Sequence, residues 1–114
     1  MNPVLIYSTT DSREEARAIG KQLVKNKLAA CVNIIPNVES IYNWQNELQQ
    51  DSEFLLIIKT DAKFKNDIQN IFEKTHSYDL PELIMINIQD SSADYLRWMQ
   101  ENIEIGRASC RERV

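Results

Sequence analysis

The chain is organised around one segment, residues 28–60, which holds two strand candidates in succession. The first covers about residues 28–44 and is rich in Val, Ile, Tyr and Trp, which suit a pleated sheet. Because the proline at Pro36 cannot donate to a sheet ladder, a bulge is expected there. The second covers Glu53–Lys59, and the polar residues 45–52 between them resemble a turn. The segment is predicted to form one long β-hairpin.

Three predicted strands lack the alternation of apolar and polar residues that a strand with one wet face shows. They are residues 54–58 of the hairpin, the N-terminal residues 4–7 and residues 83–86. A strand that is apolar on both sides needs cover on both sides. We therefore expect both faces of the sheet to be covered.

Apolar residues at helical spacing predict two helices between the strands. The first begins at Asp11, which forms a capping-box pattern with Glu14, and ends near residues 26–27. The second covers about residues 61–74, with Asp61 as its cap.

The resulting order is strand, helix, strand, strand, helix, strand, followed by a short C-terminal helix opened by Ser91 and Asp94. This is the ferredoxin-like split βαβ unit of the α+β class, in which both crossover helices cover the same face of an antiparallel sheet. The other face is apolar too, and no further element of the chain is left to cover it. A homo-oligomer that packs sheets against one another is the simplest solution, and cyclic symmetry is its usual form.

Length and charge narrow the class of protein. The 114 residues suffice for one domain, predicted to cover residues 1–103. A net charge of −4, with Lys and Arg scattered among acids, argues against a nucleic-acid partner. No apolar run approaches the roughly 20 residues that span a membrane, and no secretory signal is visible. We expect a cytoplasmic protein without a membrane partner.

The last segment, residues 104–114, differs from the rest of the chain. It has no apolar periodicity and contains three arginines and Cys110. We expect it to be a non-native tail that contributes little to the fold.

Five motifs, taken together, are typical of one family. They are LAACVNIIP, SIYNW, EFLLIIKT, HSYDLPELI and DYLRW. In this combination the chain resembles the CutA family of divalent-cation tolerance proteins over about residues 3–102. The resemblance implies a ferredoxin-like subunit, a tight homotrimer, a cytoplasmic location and an architecture shared with the PII signalling proteins. It also implies a link to tolerance of divalent metal ions, copper among them.

His76 is the only histidine, and the loop after it supplies Asp79 and Glu82. Imidazole suits copper and zinc, and carboxylates can complete a site, so these three residues are the candidate ligands of a divalent cation. In the family's copper-associated pattern, a cysteine and a second histidine stand where this chain has Ser8 and Thr75. Because hydroxyl groups are poor ligands for copper, weak binding is expected. The alternative is a loop histidine that hydrogen-bonds at a subunit boundary.

A second candidate site is a cleft between subunits that binds a small anionic metabolite, as in a PII-like sensor. Lys59 ends an apolar strand, so its ammonium group must emerge at the edge of the sheet or pair with an acid such as Glu53 or Glu82. A structural ion pair is therefore the alternative role for Lys59. A further four residues are predicted to line the cleft with it, namely Cys31, His76, Tyr78 and Glu82. For Cys31 the alternative is a small buried hydrophobic side chain.

Tyr42 and Trp44 lie two residues apart on a strand, so their side chains point to the same face. Both residue types are enriched at interfaces, and the pair is predicted to anchor the hairpin on a neighbouring subunit. Packing within the subunit is the alternative.

The sequence has no Gly-rich phosphate loop and no spacing that indicates a nucleophile with its base. We expect a protein that is not an enzyme.

Overall fold

A computed structural model of the chain describes the backbone of residues 1–112 and the side chains of residues 1–103. In this part of the chain, four strands and three α-helices follow one another, with a short 3-10 turn before the second helix. The elements are β1 (Pro3–Thr10), α1 (Arg13–Lys25), β2 (Cys31–Trp44), β3 (Glu47–Asp61), the 3-10 turn (Ala62–Phe64), α2 (Lys65–Thr75), β4 (Ile84–Asn87) and α3 (Ala93–Glu112).

The four strands form one antiparallel sheet in the order β2-β3-β1-β4. The first and last strands of the split βαβ unit lie side by side, and the hairpin strand β3 is the other neighbour of β1. This order confirms the predicted α+β, ferredoxin-like fold.

One face of the sheet packs against the helices. Ile6 stands opposite Ile58, and Val4 stands opposite Thr60. All four side chains are fully buried. The helices α1 and α2 contribute five buried residues to the same core, which are Ala16, Ile19, Leu23, Ile68 and Phe72.

The opposite face carries the alternate residues of the same strands, and we name it the open face. Leu5 lies between Lys59 and Ile86, and Tyr7 lies between Ile57 and Ile84. The apolar side chains of the open face are Leu5, Tyr7, Ile35, Leu55, Ile57, Ile84 and Ile86. Those on β1 and β3 are half-buried, whereas those on β4 are exposed. The predicted apolar second face is confirmed, and α1 and α2 leave it open.

The edge strand β4 is shorter and more exposed than predicted. It covers four residues, Ile84–Asn87, rather than starting at Leu83, and every one of them is exposed. Cover on both sides of this strand is not found within the single chain, where β4 is an edge strand with one neighbouring strand. The predicted cover by another copy of the chain stays a prediction.

The hairpin is longer than predicted. Gln45 and Asn46 have positive φ angles of 53° and 66° and form a two-residue turn, which suits a twisted hairpin. β3 therefore begins at Glu47 rather than Glu53, and the predicted turn over residues 45–52 was wrong. Apart from Leu48, residues 47–52 are polar, and most side chains there face solvent while their backbones still pair with β2.

The bulge in β2 is confirmed. The register shifts between Ile35 and Val38, on either side of Pro36, and Asn37 has a positive φ of 62°. β2 itself begins at Cys31, three residues later than predicted, because backbone N–H groups just before it bond back to the end of α1.

All three helix starts differ from prediction by one to four residues. At α3 the hydroxyl of Ser92, not of Ser91, accepts a hydrogen bond from the backbone N–H of Tyr95 at 3.3 Å. The N-cap of α1 is Ser12, whose hydroxyl accepts a hydrogen bond from the backbone N–H of Glu15 at 3.1 Å, and not Asp11. Asp61 does act as a cap, but its carboxylate accepts from Lys63 N–H at 3.0 Å and so caps the 3-10 turn. α1 ends at the C-cap Asn26, as predicted.

The third helix is longer than the short helix predicted, since its 20 residues run to Glu112. The two innermost positions described on it, Met99 and Ile103, belong to the core. The predicted non-native tail, residues 104–114, lies outside the residues whose side chains are described, and the domain boundary at residue 103 stays a prediction. No helix within the described residues is long and apolar enough to cross a membrane.

The cap assignment is testable with two neighbouring substitutions. Ser12→Ala should lower the free energy of unfolding by about 1 kcal/mol, because a backbone N–H of the first turn loses its acceptor. Asp11→Ala removes a carboxylate next to the same helix but no cap, and should change stability by less than about 0.5 kcal/mol. Urea unfolding measures the free energy of unfolding of both variants. A larger loss of stability in Asp11→Ala than in Ser12→Ala would show that Asp11 is the cap.

Candidate functional site

His76 lies at the end of α2 and joins three parts of the fold. Its Nε2 lies 2.8 Å from the carbonyl oxygen of Thr9 on β1, and since a carbonyl only accepts, Nε2 carries a proton. Its Nδ1 accepts from the backbone N–H of Tyr78 at 3.2 Å and lies 3.3 Å from a carboxylate oxygen of Glu15 on α1. The ring also contacts Phe72 edge-on. His76 therefore holds its loop to β1, and the backbone N–H of the next residue, Ser77, donates to Glu15 of α1 at 3.2 Å.

This arrangement leaves no free ring nitrogen for a metal ion. The His76 side chain is buried, and a metal would have to displace one of its hydrogen bonds. No group of three or more His, Cys, Asp and Glu side chains within the described residues is placed to hold a metal ion. The predicted ligands His76, Asp79 and Glu82 are therefore not grouped for metal binding among the described residues, and the metal site stays a prediction. His76 is a hydrogen-bonded loop histidine, and its predicted alternative place at a subunit boundary stays a prediction as well.

A cavity of about 590 Å³ lies beside this loop, where the hairpin leaves the body of the sheet, and we name it the hairpin pocket. Tyr42 and Trp44 lie on one of its sides, on the same face of β2 as predicted. Glu53 of β3 and Tyr78 of the loop also line it, and the Tyr78 hydroxyl donates to the Glu53 carboxylate at 2.6 Å. The remaining lining residues are Thr9, Ser40, Ile41, Asp79, Leu80 and Glu82.

The hairpin pocket is electronegative. Among the residues whose side chains are described, three carboxylates and no Lys or Arg line it. Burial, and then the nearby charge of Glu53, raise the pKa of Glu82. Burial, followed by the hydrogen bond to Glu53, raises the pKa of Tyr78. The hydrogen bond from Tyr42 to Asp51 raises the pKa of Tyr42. In all three groups the raised pKa means that the neutral, protonated form is favoured over the negatively charged form.

Lys59 and Cys31 lie elsewhere. The Lys59 ammonium is 3.3 Å from the hydroxyl of Tyr95 on α3 and 5.5 Å from the centre of its ring. Cys31 stands opposite Lys59 on β2 and is half-buried rather than fully buried. Because Glu53 and Lys59 are six positions apart on β3, they are separated by about 20 Å.

The predicted cleft residues thus form two groups in one chain. His76, Tyr78 and Glu82 lie around the loop, whereas Lys59 and Cys31 lie at the far end of the open face. The suggested ion pairs of Lys59 with Glu53 or Glu82 are not found among the described residues. A cleft between subunits involves a second chain and stays a prediction.

Two residues of this region were missed or given another role by sequence reasoning. Glu15 lies 61 positions before His76, and nothing in the spacing of α1 marks it as a partner. Glu53 was considered only as a partner of Lys59. The one sequence signal for the burial of Glu53 was its position directly before the apolar run of residues 54–58.

The role of His76 is testable by mutation. His76→Ala should lower the free energy of unfolding by about 2–4 kcal/mol, because it leaves buried partners without hydrogen bonds. His76→Gln keeps a terminal N–H donor and should recover part of the loss. Lys74→Ala, an exposed change on the same helix, is the control. Urea unfolding that shows His76→Ala as stable as Lys74→Ala would contradict this role.

The raised pKa of Glu82 predicts a pH-dependent stability effect. The folded state binds this proton more tightly than the unfolded state, so the contribution is present at low pH and is lost as pH rises through the folded pKa. Glu82→Gln should therefore raise the melting temperature by about one or two degrees near pH 7 and have little effect near pH 4. Glu73→Gln, which removes an exposed carboxylate from α2, is the matched control. A lower melting temperature of Glu82→Gln at pH 7 would contradict the burial of an ionised carboxylate.

Comparison with known proteins adds to this geometry. Residues 4–102 match the family model described as CutA1 divalent ion tolerance protein. The divalent-cation tolerance protein CutA of Thermus thermophilus is 40% identical over 98 residues, which are 86% of this chain and 95% of that protein. The chloroplastic protein CutA of Arabidopsis thaliana is 39% identical over 87% of this chain, but the chain spans only 54% of that relative's length.

Solved structures agree in fold. The structure of the Thermus thermophilus protein superimposes with a TM-score of 0.85 at 39% identity, covering 88% of this chain and 97% of that one. The crystal structure of CutA1 from Oryza sativa gives a TM-score of 0.86 at 34% identity, covering 90% and 94%. Sequence match and fold agree over nearly the whole described chain, and the protein belongs to the CutA1 family.

Proposed function

We propose that this chain is the subunit of a cytoplasmic homotrimer that contributes to tolerance of divalent cations, copper among them, without catalysing a reaction. Membership of the CutA1 family supports the link to divalent cations. The open face of the sheet supports the assembly, and it is the observation that carries the proposal.

The open face is apolar in both central strands and in β4. A soluble monomer rarely exposes a continuous apolar surface of this kind, whereas a subunit interface does. Covering roughly 1,000 Å² of apolar surface per subunit would stabilise the assembly by about 25 kcal/mol before the entropy costs of association. The number three comes from the family resemblance, since the open face itself requires only a partner.

Metal binding in this proposal is weak within one chain. Both ring nitrogens of His76 already have partners, and the described side chains form no metal cluster. Copper(II) or zinc would need ligands from two subunits, or would have to break the hydrogen bonds of His76. The alternative of a small-anion sensor has less support, because the described side chains that line the hairpin pocket include carboxylates and no Lys or Arg, and Lys59 lies far from it.

Growth under metal stress tests the proposed function. In a bacterial strain whose own CutA gene is deleted, expression of this chain should improve growth in copper(II), zinc or cadmium and leave growth without added metal unchanged. Equal growth with the chain and with an empty vector, at every metal and dose, would contradict the proposal.

The assembly is tested by substitutions at two equally exposed positions. Ile86 on the open face and Val24 on α1 are 41% and 40% exposed in the single chain. Ile86→Asp should shift the protein to smaller species on size exclusion, because it buries a carboxylate in the proposed interface. Val24→Asp should leave the elution volume unchanged. Unchanged elution of Ile86→Asp would place the interface elsewhere.

A further inference from the structure

We propose that a groove between α1 and the edge strand β2 binds an amphipathic helix of another protein, one whose charged residues are acidic. We name it the α1 groove. It lies on the helix side of the sheet, opposite the open face, so an assembly that covers the open face does not use it. The inference goes beyond the proposed role in divalent-cation tolerance and does not depend on it.

The first observation is an apolar floor that the helices of the chain leave partly uncovered. Val32 and Ile34 stand opposite Ile58 and Leu56, whose side chains are buried under the helices, so they point to the same side. Both are half-buried, and Val24 of α1 beside them is 40% exposed. The three side chains line one open cavity of about 630 Å³. Apolar side chains gathered in an exposed groove are typical of interaction sites, whereas single exposed ones are not.

The second observation is a row of cations along one rim of the groove. Arg17, Lys21 and Lys25 follow one another at intervals of four residues, so they lie along the same side of α1. All three are exposed, and none forms an ion pair with a described residue. No Asp or Glu is among the described residues that line the groove. The rim is positive although the chain has a net charge of −4, and this favours an acidic partner.

Gly20 brings the two walls of the groove together. It is buried, and a Cβ at this position would lie 3.3 Å from Cγ1 of Val32. The missing side chain therefore lets α1 lie close to the edge strand. As a result, the cation row and the apolar floor form one continuous surface.

The spacing of the cations favours a helix as the occupant. Arg17 and Lys25 are eight positions apart on α1, which corresponds to about 12 Å along the helix axis. A helix that lies nearly parallel to α1 repeats its side chains at the same interval of four residues. Three of its carboxylates can then face the three cations while its apolar side chains contact the floor. A small molecule has less support, because small-molecule sites enclose most of the ligand surface and this groove is open along its rim.

The occupant in this proposal is a helix of another protein, and the test separates it from two other occupants. They are an anionic membrane and a second copy of this chain. The C-terminal segment 104–114 of another copy is disfavoured by its charge, because it contains three arginines and two glutamates.

The probe is a fluorescein-labelled peptide of about 18 residues, which is long enough to form a helix. Glu and Leu repeat in it at intervals of four residues on neighbouring positions of an alanine helix. One control peptide has Gln in place of every Glu, and a second has the same composition in scrambled order. Fluorescence anisotropy measures the affinity of each peptide for the full chain.

The acidic peptide should bind saturably, and both control peptides should bind at least about tenfold more weakly. Lys21→Glu should lower the affinity at least about fivefold, because it replaces an attraction at the centre of the row by a repulsion. Val24→Asp should lower it about tenfold, because it places a carboxylate against the apolar face of the peptide. Lys74→Glu makes the same charge change at the exposed end of α2 and should bind as tightly as the parent. Circular dichroism and size exclusion verify that each variant keeps the fold and assembly of the parent.

Three results would overturn the inference. One is the absence of any preference for the acidic peptide over its scrambled control, including no binding of either. Another is an equal loss of affinity in Lys21→Glu and Lys74→Glu, which would make the interaction a general effect of charge. The third is a Lys21-dependent interaction of another kind without peptide binding. Sedimentation with phosphatidylglycerol vesicles would then assign the groove to a membrane, and larger species of the parent at high concentration would assign it to another copy.

Discussion

A sheet that is apolar on both faces imposes the main constraint on this fold. Even-numbered residues of β1 and β3, such as Ile6 and Ile58, are buried under the helices, while the odd-numbered residues Tyr7 and Ile57 point the other way. The two crossover helices lie on one face, as the split βαβ connection requires. Neither α1 nor α2 covers the other face, and burying its apolar side chains would release a large free energy. The proposed association of copies rests on this geometry rather than on any special interface motif.

The same constraint positions the candidate site. The hairpin continues the open face beyond the body of the sheet, so Tyr42, Trp44 and Glu53 lie on the face that faces away from α1 and α2. The loop after α2 then closes over them, because His76 bonds it to β1 and the backbone N–H of Ser77 bonds it to Glu15 of α1. This anchoring places Tyr78 within hydrogen-bond distance of Glu53. His76 positions the loop, and its hydrogen bond to Thr9 determines the shape of the pocket beside the loop.

Sequence patterns predicted most of the fold because its main signals are local. Proline marked the bulge at Pro36, Asp61 marked a cap, and unbroken apolar runs marked the two central strands. The length of the hairpin was missed because residues 47–52 are held by backbone pairing, which leaves no apolar pattern. The shift from Asp11 to Ser12 at the first cap has a similar origin, since both side chains can accept the same kind of bond. The site was less predictable, because Glu15 and His76, or Glu53 and Tyr78, meet only through the tertiary fold.

The central claim is that the open face requires other copies of the chain to cover it. Sedimentation equilibrium on the full chain, diluted from about 10 µM to about 10 nM, measures this directly, since only a tight assembly survives such dilution. The account predicts a single species of three times the 13.3 kDa subunit mass over the whole range. A stable, folded monomer throughout would contradict it, and would show that the apolar open face tolerates water.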